Sequence, residues 1–121
     1  MSTALVVDDS LTTMVILSSY LKQEGLDVLT AKNAVEALAK INTTKPDVII
    51  LDVVLPDRSG FEICRELKAK AETRKIPIVM CSTKATEMDK FWGRKQGADA
   101  YLVKPVDQKE FVKTVQRFIG K

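Results

Sequence analysis

Short apolar runs alternate with longer amphipathic stretches along the whole of this sequence, five times over. Four of the runs do not alternate and are rich in β-branched or aliphatic residues, as strands buried on both faces of a sheet usually are. They cover residues 4–7, 48–51, 76–81 and 101–103. A fifth run, residues 27–30, alternates better and is expected nearer an edge. This order of elements predicts an α/β fold with a mostly parallel sheet.

Capping signals mark the starts of most amphipathic stretches. A capping side chain stands three residues before an acid at four places: Asn33, Ser59, Thr86 and Asp107. This spacing allows a side chain to satisfy the free amides of a helix N-terminus. Ser10 or Asp9 can start the first helix in the same way. The last stretch shows the helical period most clearly, with one apolar stripe at Phe111, Val112, Val115, Phe118 and Ile119.

The length of the chain suits one domain. Its 121 residues can bury a core without metals or disulfides, and no linker, repeat or low-complexity tract divides them. The sequence ends at Gly120-Lys121, directly after the last predicted helix. We therefore expect a single domain over residues 1–121, with no attached output domain.

Charge and cysteine usage argue against several classes of function. The net charge of +3 is spread among 16 acids, and no basic cluster interleaved with aromatics suggests a nucleic-acid partner. Cys64 and Cys81 form no CxxC pair, which favours buried free thiols in a reducing compartment. The longest apolar stretch, residues 48–55, is too short to span a bilayer, and no signal peptide is visible. These features predict a cytoplasmic protein without a membrane partner.

Polar residues of particular kinds close the four core runs: Asp8 and Asp9, Asp52, Ser82 and Lys104. The carboxyl ends of parallel strands meet at one edge of a sheet, so these side chains are expected to converge. A single Asp at such a position is more often a turn or cap residue, but four strand ends together are hard to produce by accident. Three carboxylates there suit Mg²⁺ or the similar Mn²⁺, and the ammonium suits a phosphoryl group.

This combination of residues resembles the receiver domains of two-component response regulators. The resemblance rests on Asp8-Asp9, on Asp52 within the segment LDVVLPDRSG, on Ser82 and on Lys104-Pro105, and it covers essentially the whole chain. It implies the (βα)5 flavodoxin-like, CheY-like fold, a five-stranded parallel sheet in the order 2-1-3-4-5 with helices on both faces. It also implies a cis peptide bond between Lys104 and Pro105.

The resemblance assigns chemical roles to the strand-end residues. Asp52 would be the phosphoacceptor, taking its phosphoryl group from a CheA-like or hybrid histidine kinase or from a histidine phosphotransfer domain. Asp9, Asp52 and the backbone carbonyl of Val54 would bind Mg²⁺, and Asp8 would act through a bound water. Lys104 would neutralise a phosphoryl oxygen. The protein would not be an enzyme in the usual sense, since it would catalyse only its own phosphorylation and dephosphorylation.

The resemblance also implies a switch. Ser82 would hydrogen-bond the new phosphoryl group, Tyr101 would move between exposed and buried positions, and the last two helices and strand would bind a downstream target. Met88, Phe91 and Trp92 share a helical stripe, for which the spacing favours packing on the sheet over partner binding. The surrounding segment is similar to the PilH-like regulators of type IV pilus motility, more than to flagellar CheY.

The sequence and the resemblance leave three functions open. The first is a phosphorylation-dependent switch in chemotaxis or pilus motility, and the second is a phosphorelay carrier or a phosphate sink for a shared kinase. A phosphate-independent interaction module is third, and retention of all the strand-end residues argues against it. Thr83 stands where many receivers have Ala or Gly, so we expect it to narrow the entrance to Asp52.

Overall fold

The computed structural model describes residues 2–119, so Gly120 and Lys121, where the sequence ends, lie outside the described residues. Strands and helices alternate along the chain, as the pattern of apolar runs predicts. In order, the elements are β1 (Thr3–Val7), α1 (Leu11–Gln23), β2 (Asp27–Ala31), α2 (Ala34–Thr44), β3 (Val48–Leu51), α3 (Gly60–Ala69), β4 (Ile78–Ser82), α4 (Glu87–Lys95), β5 (Ala100–Val103) and α5 (Gln108–Ile119).

The strands form one parallel sheet in the order β2-β1-β3-β4-β5. This confirms the predicted fold class and strand order, and it places β2 at an edge as its alternating sequence indicates. The register aligns the carboxyl ends of the inner strands: Val7 lies opposite both Ala31 and Leu51. Ser82 lies opposite Val103 in the same way. The residues that follow these positions therefore meet at one edge of the sheet.

Strand residues alternate between two hydrophobic cores, one on each face of the sheet. In β1, Leu5 and Val7 pack on one face with buried residues from α2 and α3: Ala34, Ala37, Ile41, Ile63, Cys64 and Leu67. Ala4 and Val6 pack on the other face with buried residues from α1 and α5: Met14, Leu17, Leu21, Phe111 and Val115. Because both faces are covered, the inner strands read as continuous apolar runs.

The predicted capping side chains accept backbone N–H groups at the starts of α1, α2, α4 and α5, at Ser10, Asn33, Thr86 and Asp107. At α4 the cap is reciprocal, since the Asp89 carboxylate also accepts from the Thr86 amide. Ser59 caps α3, but the acid three residues on, Glu62, pairs with Arg58 instead of returning to the cap.

One strand begins later than its apolar run suggests. The run covers residues 76–81, whereas β4 extends over Ile78–Ser82. Pro77 has no N–H to donate to a neighbouring strand, and its carbonyl accepts from the Ile49 amide at 2.9 Å just before β4 begins. The strand therefore ends on Ser82, and this brings the hydroxyl to the edge where the acids lie.

The prediction that the apolar stripe of α4 packs on the sheet is wrong. Met88, Phe91 and Trp92 have 70%, 55% and 45% of their surface exposed. Gly93 is the buried residue of this helix. Since α4 presents its smallest side chain to the interior, the large apolar side chains are left on the outer surface.

Both cysteines are buried and are free thiols, as predicted. Burial raises the pKa of the Cys64 thiol to about 11 and that of Cys81 to about 12, so both stay protonated at neutral pH. Among residues 2–119, no helix is long and apolar enough to cross a membrane.

Candidate functional site

The site lies where β1, β3, β4 and β5 end. Asp8 directly follows β1, Asp52 follows β3, Ser82 closes β4 and Lys104 follows β5. Backbone hydrogen bonds continue past the strands: the Asp52 amide donates to the Val7 carbonyl at 3.0 Å, and the Lys104 amide donates to the Ser82 carbonyl at 2.9 Å. The sheet itself therefore fixes the backbone of the site.

Lys104 lies between two buried carboxylates. Its Nζ is 2.7 Å from Oδ2 of Asp8 and 2.9 Å from Oδ2 of Asp52. The side chains are 14%, 2% and 8% exposed respectively, so solvent screens these contacts only weakly. One ammonium thus serves two acids from strands that are far apart in sequence.

The site carries more negative charge than Lys104 neutralises. Burial raises the pKa of Asp8, and the hydrogen bond from Lys104 only partly offsets this effect. Burial also acts to lower the pKa of Lys104, but its two carboxylate partners outweigh that, and the pKa is raised. The ammonium is therefore held charged while Asp8 is left incompletely compensated, which favours a further cation.

Carboxylate oxygens of Asp8, Asp9 and Asp52 all lie within 4.8 Å of one another. Asp8 and Asp52 are buried, whereas Asp9 is exposed, so the cluster opens to solvent on one side. Mg²⁺ is commonly bound by one or two carboxylates while keeping several waters, and an open oxygen cluster fits this preference. The residues present therefore fit the magnesium site that the sequence predicts.

The segment after β3, which carries Asp52, is tightly placed against the start of α3. The Val54 amide donates to Oδ1 of Asp52 at 3.2 Å, and the Gly60 amide donates to the Val53 carbonyl at 2.7 Å. A Cβ on Gly60 would lie 2.1 Å from the Asp52 carbonyl oxygen, closer than real Cβ contacts allow. Only glycine permits this approach.

Ser82 and Tyr101 both reach the loop between β4 and α4. The Lys84 amide donates to Oγ of Ser82 at 3.3 Å, and the Tyr101 hydroxyl donates to the Lys84 carbonyl at 2.7 Å. The half-buried Tyr101 ring lies beneath α4, since a Cβ on Gly93 would come within 2.8 Å of its Cδ2. The two predicted switch residues therefore contact the same loop residue.

Thr83 lines a cavity of about 380 Å³ beside the site, between α1 and the segment after β5. Lys104 and Pro105 line the same cavity, and the peptide bond that joins them is cis, as the resemblance implies. The Thr83 side chain is exposed and stands next to Ser82. Its predicted effect on access to Asp52 stays a prediction.

Sequence reasoning did not identify the contacts made by Asp57, Gly60 and Gly93. Asp57 accepts two backbone N–H groups from α2, more than twenty residues earlier in the chain. The two glycines are needed because other parts of the chain occupy the space of their missing side chains. Such long-range contacts leave no local pattern, although a glycine inside a predicted helix suggests close packing.

Comparison with known proteins agrees with this geometry. Residues 4–116 match the family model of the response regulator receiver domain. The chain belongs to the response regulator receiver family. This receiver is 44% identical to the protein PilH of Pseudomonas aeruginosa over 120 residues, which is 99% of each chain. It is 42% identical over 106 residues to the Bacillus subtilis alkaline phosphatase synthesis regulator PhoP, covering 88% of this chain and 43% of PhoP.

Solved receiver structures have the same fold. The chemotaxis protein CheY4 of Vibrio cholerae superposes with a TM-score of 0.90 at 36% identity, covering 98% of each chain. A response regulator from Chloroflexus aurantiacus superposes with a TM-score of 0.94 at 32% identity, covering 99% of this chain and 98% of its own. The receiver is thus PilH-like in sequence and CheY-like in structure.

Proposed function

We propose that this receiver accepts a phosphoryl group on Asp52 from a phosphohistidine, in a Mg²⁺-dependent reaction, and then changes its partner-binding face. The observation that supports this most directly is the Lys104 ammonium held between Asp52 and Asp8, beside the exposed carboxylate of Asp9. The donor would be a histidine kinase or a histidine phosphotransfer domain. These 121 residues contain no histidine, so the donor histidine lies outside them.

In the proposed reaction, a carboxylate oxygen of Asp52 attacks phosphorus. A P–O bond forms, the P–N bond to the donor imidazole breaks, and that imidazole leaves with the electron pair and takes a proton. Mg²⁺ held by Asp9, Asp52 and the Val54 carbonyl, with Asp8 acting through water, would supply charge neutralisation for the phosphoryl oxygens. Lys104 is placed to exchange part of its carboxylate contact for a phosphoryl oxygen.

The phosphorylated state would be read on the face formed by α4, β5 and α5. Ser82 would donate to a phosphoryl oxygen and draw its loop inward. This movement would shift the Lys84 carbonyl, which accepts from the Tyr101 hydroxyl. The exposed Phe91 and Trp92 rings on α4 provide apolar anchors for a target. Similarity to PilH and CheY4 supports a role in type IV pilus motility or chemotaxis.

The test is intact mass spectrometry after incubation with acetyl phosphate, with and without Mg²⁺, on wild type and Asp52→Asn. We expect one phosphoryl adduct that requires both Mg²⁺ and Asp52, and consumption of excess donor no faster than the loss of that adduct. The absence of an adduct in both wild type and Thr83→Ala would contradict the proposal and favour a phosphate-independent module. Rapid transfer from Asp52 back to a histidine domain would instead assign a carrier or sink.

Thr83→Ala is expected to speed phosphorylation by acetyl phosphate several-fold, because the smaller side chain widens the approach to Asp52. Adduct formation over time, measured at saturating Mg²⁺, provides the rate. Thr13→Ala serves as the control, since Thr13 lines the same cavity from α1. An unchanged rate in Thr83→Ala would discard the steric explanation.

Gly93→Ala is expected to displace the Tyr101 ring, because the added methyl group would lie 2.8 Å from Cδ2 of Tyr101 and 3.1 Å from Sδ of Met80. The variant should therefore lose the hydroxyl contact to Lys84 and be destabilised, although Ala is favoured over Gly in a helix by about 1 kcal/mol. Urea unfolding measures the change.

A double-mutant cycle tests the cause of that change. In a Tyr101→Ala background the ring is absent, so Gly93→Ala should cost less or become stabilising. An equal loss of stability in both backgrounds would show that Tyr101 is not the group displaced.

A further inference from the structure

Asp57 ties the loop after β3 to the N-terminus of α2. Its Oδ1 accepts from the Ala34 amide at 2.9 Å and its Oδ2 accepts from the Val35 amide at 3.1 Å. The cap residue Asn33 satisfies the next amide, that of Glu36, at 2.8 Å. The first amides of a helix lack partners within the helix and are often left to water. Here a carboxylate from a distant loop takes two of them.

The next residue ties the same loop to a second helix. Arg58 Nε donates to Oε1 of Glu62 at 2.8 Å, and its Nη2 also contacts Glu66, both on α3. Within the loop, Val54 and Ser59 form an antiparallel bridge. Two adjacent residues of opposite charge thus connect one short loop to α2 and to α3.

The Asp57 contacts are specific enough to fix the position of its loop relative to α2. Each carboxylate oxygen accepts from a different amide, and such charge-assisted hydrogen bonds are stronger than neutral ones. A negative charge is also favourable at a helix N-terminus. The Ala34 amide lowers the pKa of Asp57, in keeping with an ionised carboxylate at neutral pH. Because the side chain is exposed, its contacts and not its burial give it a structural role.

We propose that Asp57 is a positioning residue for the metal site, holding in place the β3–α3 loop, which carries the Val54 carbonyl. This inference rests on the proposed function, in which Val54 supplies a ligand. Groups that orient metal ligands typically change metal affinity by about 10–100-fold when removed. Arg58 still ties the loop to α3 when Asp57 is removed, so we expect the loss of affinity to lie at the lower end of that range.

Isothermal titration calorimetry with MgCl₂ tests the proposal on wild type, Asp57→Ala, Asp57→Asn and Asn33→Ala. We expect Asp57→Ala to weaken Mg²⁺ binding about tenfold. Asp57→Asn should have a smaller effect, because one acceptor oxygen remains. Asn33→Ala is the matched control: it removes a cap from the same helix end without touching the loop, and its Mg²⁺ affinity should equal that of wild type.

Hydrogen–deuterium exchange on the metal-free protein gives a second readout that does not depend on Mg²⁺. Asp57→Ala should speed exchange of the amides in residues 53–59, whereas Asn33→Ala should affect residues 34–37 only. Unchanged exchange in β3 (Val48–Leu51) would show that both variants remain folded.

Two outcomes would overturn the inference. In the first, wild type and Asp57→Ala bind Mg²⁺ equally well; in the second, Asn33→Ala weakens binding as much as Asp57→Ala, which would assign the effect to α2 stability. Failure of wild type to bind Mg²⁺ would overturn the proposed function itself, and with it the metal-site role of Asp57. That result is distinguishable because it appears before any substitution is made.

Discussion

Replacing Lys104 with methionine is expected to lower the free energy of unfolding by about 3–5 kcal/mol at neutral pH, the usual cost of removing one partner from a buried ion pair. The substitution keeps much of the side-chain volume but leaves Asp8 and Asp52 facing each other without the ammonium that lies 2.7 and 2.9 Å from them. Urea unfolding at pH 7 measures the loss. Lys109→Met, at an exposed position on α5, should change stability little.

The loss in Lys104→Met should depend on pH in a defined direction. In wild type, burial already raises the pKa of Asp8, and the Lys104 hydrogen bond opposes that rise. Without the lysine, the folded variant binds a proton at Asp8 more readily than the unfolded chain does. Its stability relative to wild type should therefore recover as the pH falls through the raised pKa. An equal loss at pH 5 and pH 8 would contradict this account.

The raised pKa of Lys104 makes a prediction for wild type at alkaline pH. A lysine whose pKa is higher in the folded state stabilises the protein fully below its unfolded value, and this contribution is lost as pH rises through the folded value. Wild type should therefore lose stability relative to Lys104→Met above about pH 10.4, the ordinary lysine pKa.

Added Mg²⁺ should stabilise Lys104→Met at least as much as wild type. A ligand that binds only the folded state raises stability according to its concentration and affinity, and the uncompensated carboxylates of Asp8 and Asp52 favour a cation. Unfolding midpoints with and without MgCl₂ measure this effect, and Asp52→Asn, which lacks one carboxylate, should show less of it.

Gly60→Ala is expected to destabilise the receiver by about 3 kcal/mol or more and to slow the proposed phosphorylation of Asp52. Helix propensity alone predicts the opposite sign, since Ala exceeds Gly by about 1 kcal/mol in a helix. The added methyl group would lie 2.1 Å from the Asp52 carbonyl oxygen and 2.8 Å from Cα of Val53. Both contacts are with backbone, which cannot rotate away as a flexible side chain can, so the strain exceeds ordinary overpacking.

Ser59→Ala provides the comparison for Gly60→Ala. It removes the cap contact to the Phe61 amide at the same helix start and should cost about 1 kcal/mol. If Gly60→Ala lost no more stability than Ser59→Ala, or gained stability, the approach of α3 to the backbone of Asp52 and Val53 would not be as close as the structure shows. Adduct formation with acetyl phosphate reports the effect on Asp52.

Several parts of the fold could be predicted because they depend on local chemistry. A buried parallel strand requires an apolar run, so the runs located β1, β3 and β5 to within a residue. Caps could be predicted because they act over three residues, as at Asn33 and Thr86. The site could be predicted for a related reason: parallel strands place their carboxyl ends together, which brings Asp8, Asp52 and Lys104 to one edge.

The α4 stripe shows where local reasoning fails. Periodicity places Met88, Phe91 and Trp92 on one side of a helix but does not say whether that side faces the sheet. The Tyr101 ring occupies the space under α4 and admits only Gly93, which turns the large side chains outward. The Tyr101 side chain, which comes from β5, thus decided the orientation of α4.

The sequence by itself determined the alternation of strands and helices, the starts of the helices and the set of charged residues at the strand ends, because each depends on neighbours a few residues away. The tertiary structure decided how one ammonium is shared between two acids, which helix face is exposed, and why Gly60, Gly93 and Asp57 matter. These properties depend on distances between segments that are remote along the chain. Such distances are set only when the sheet and its helices pack together.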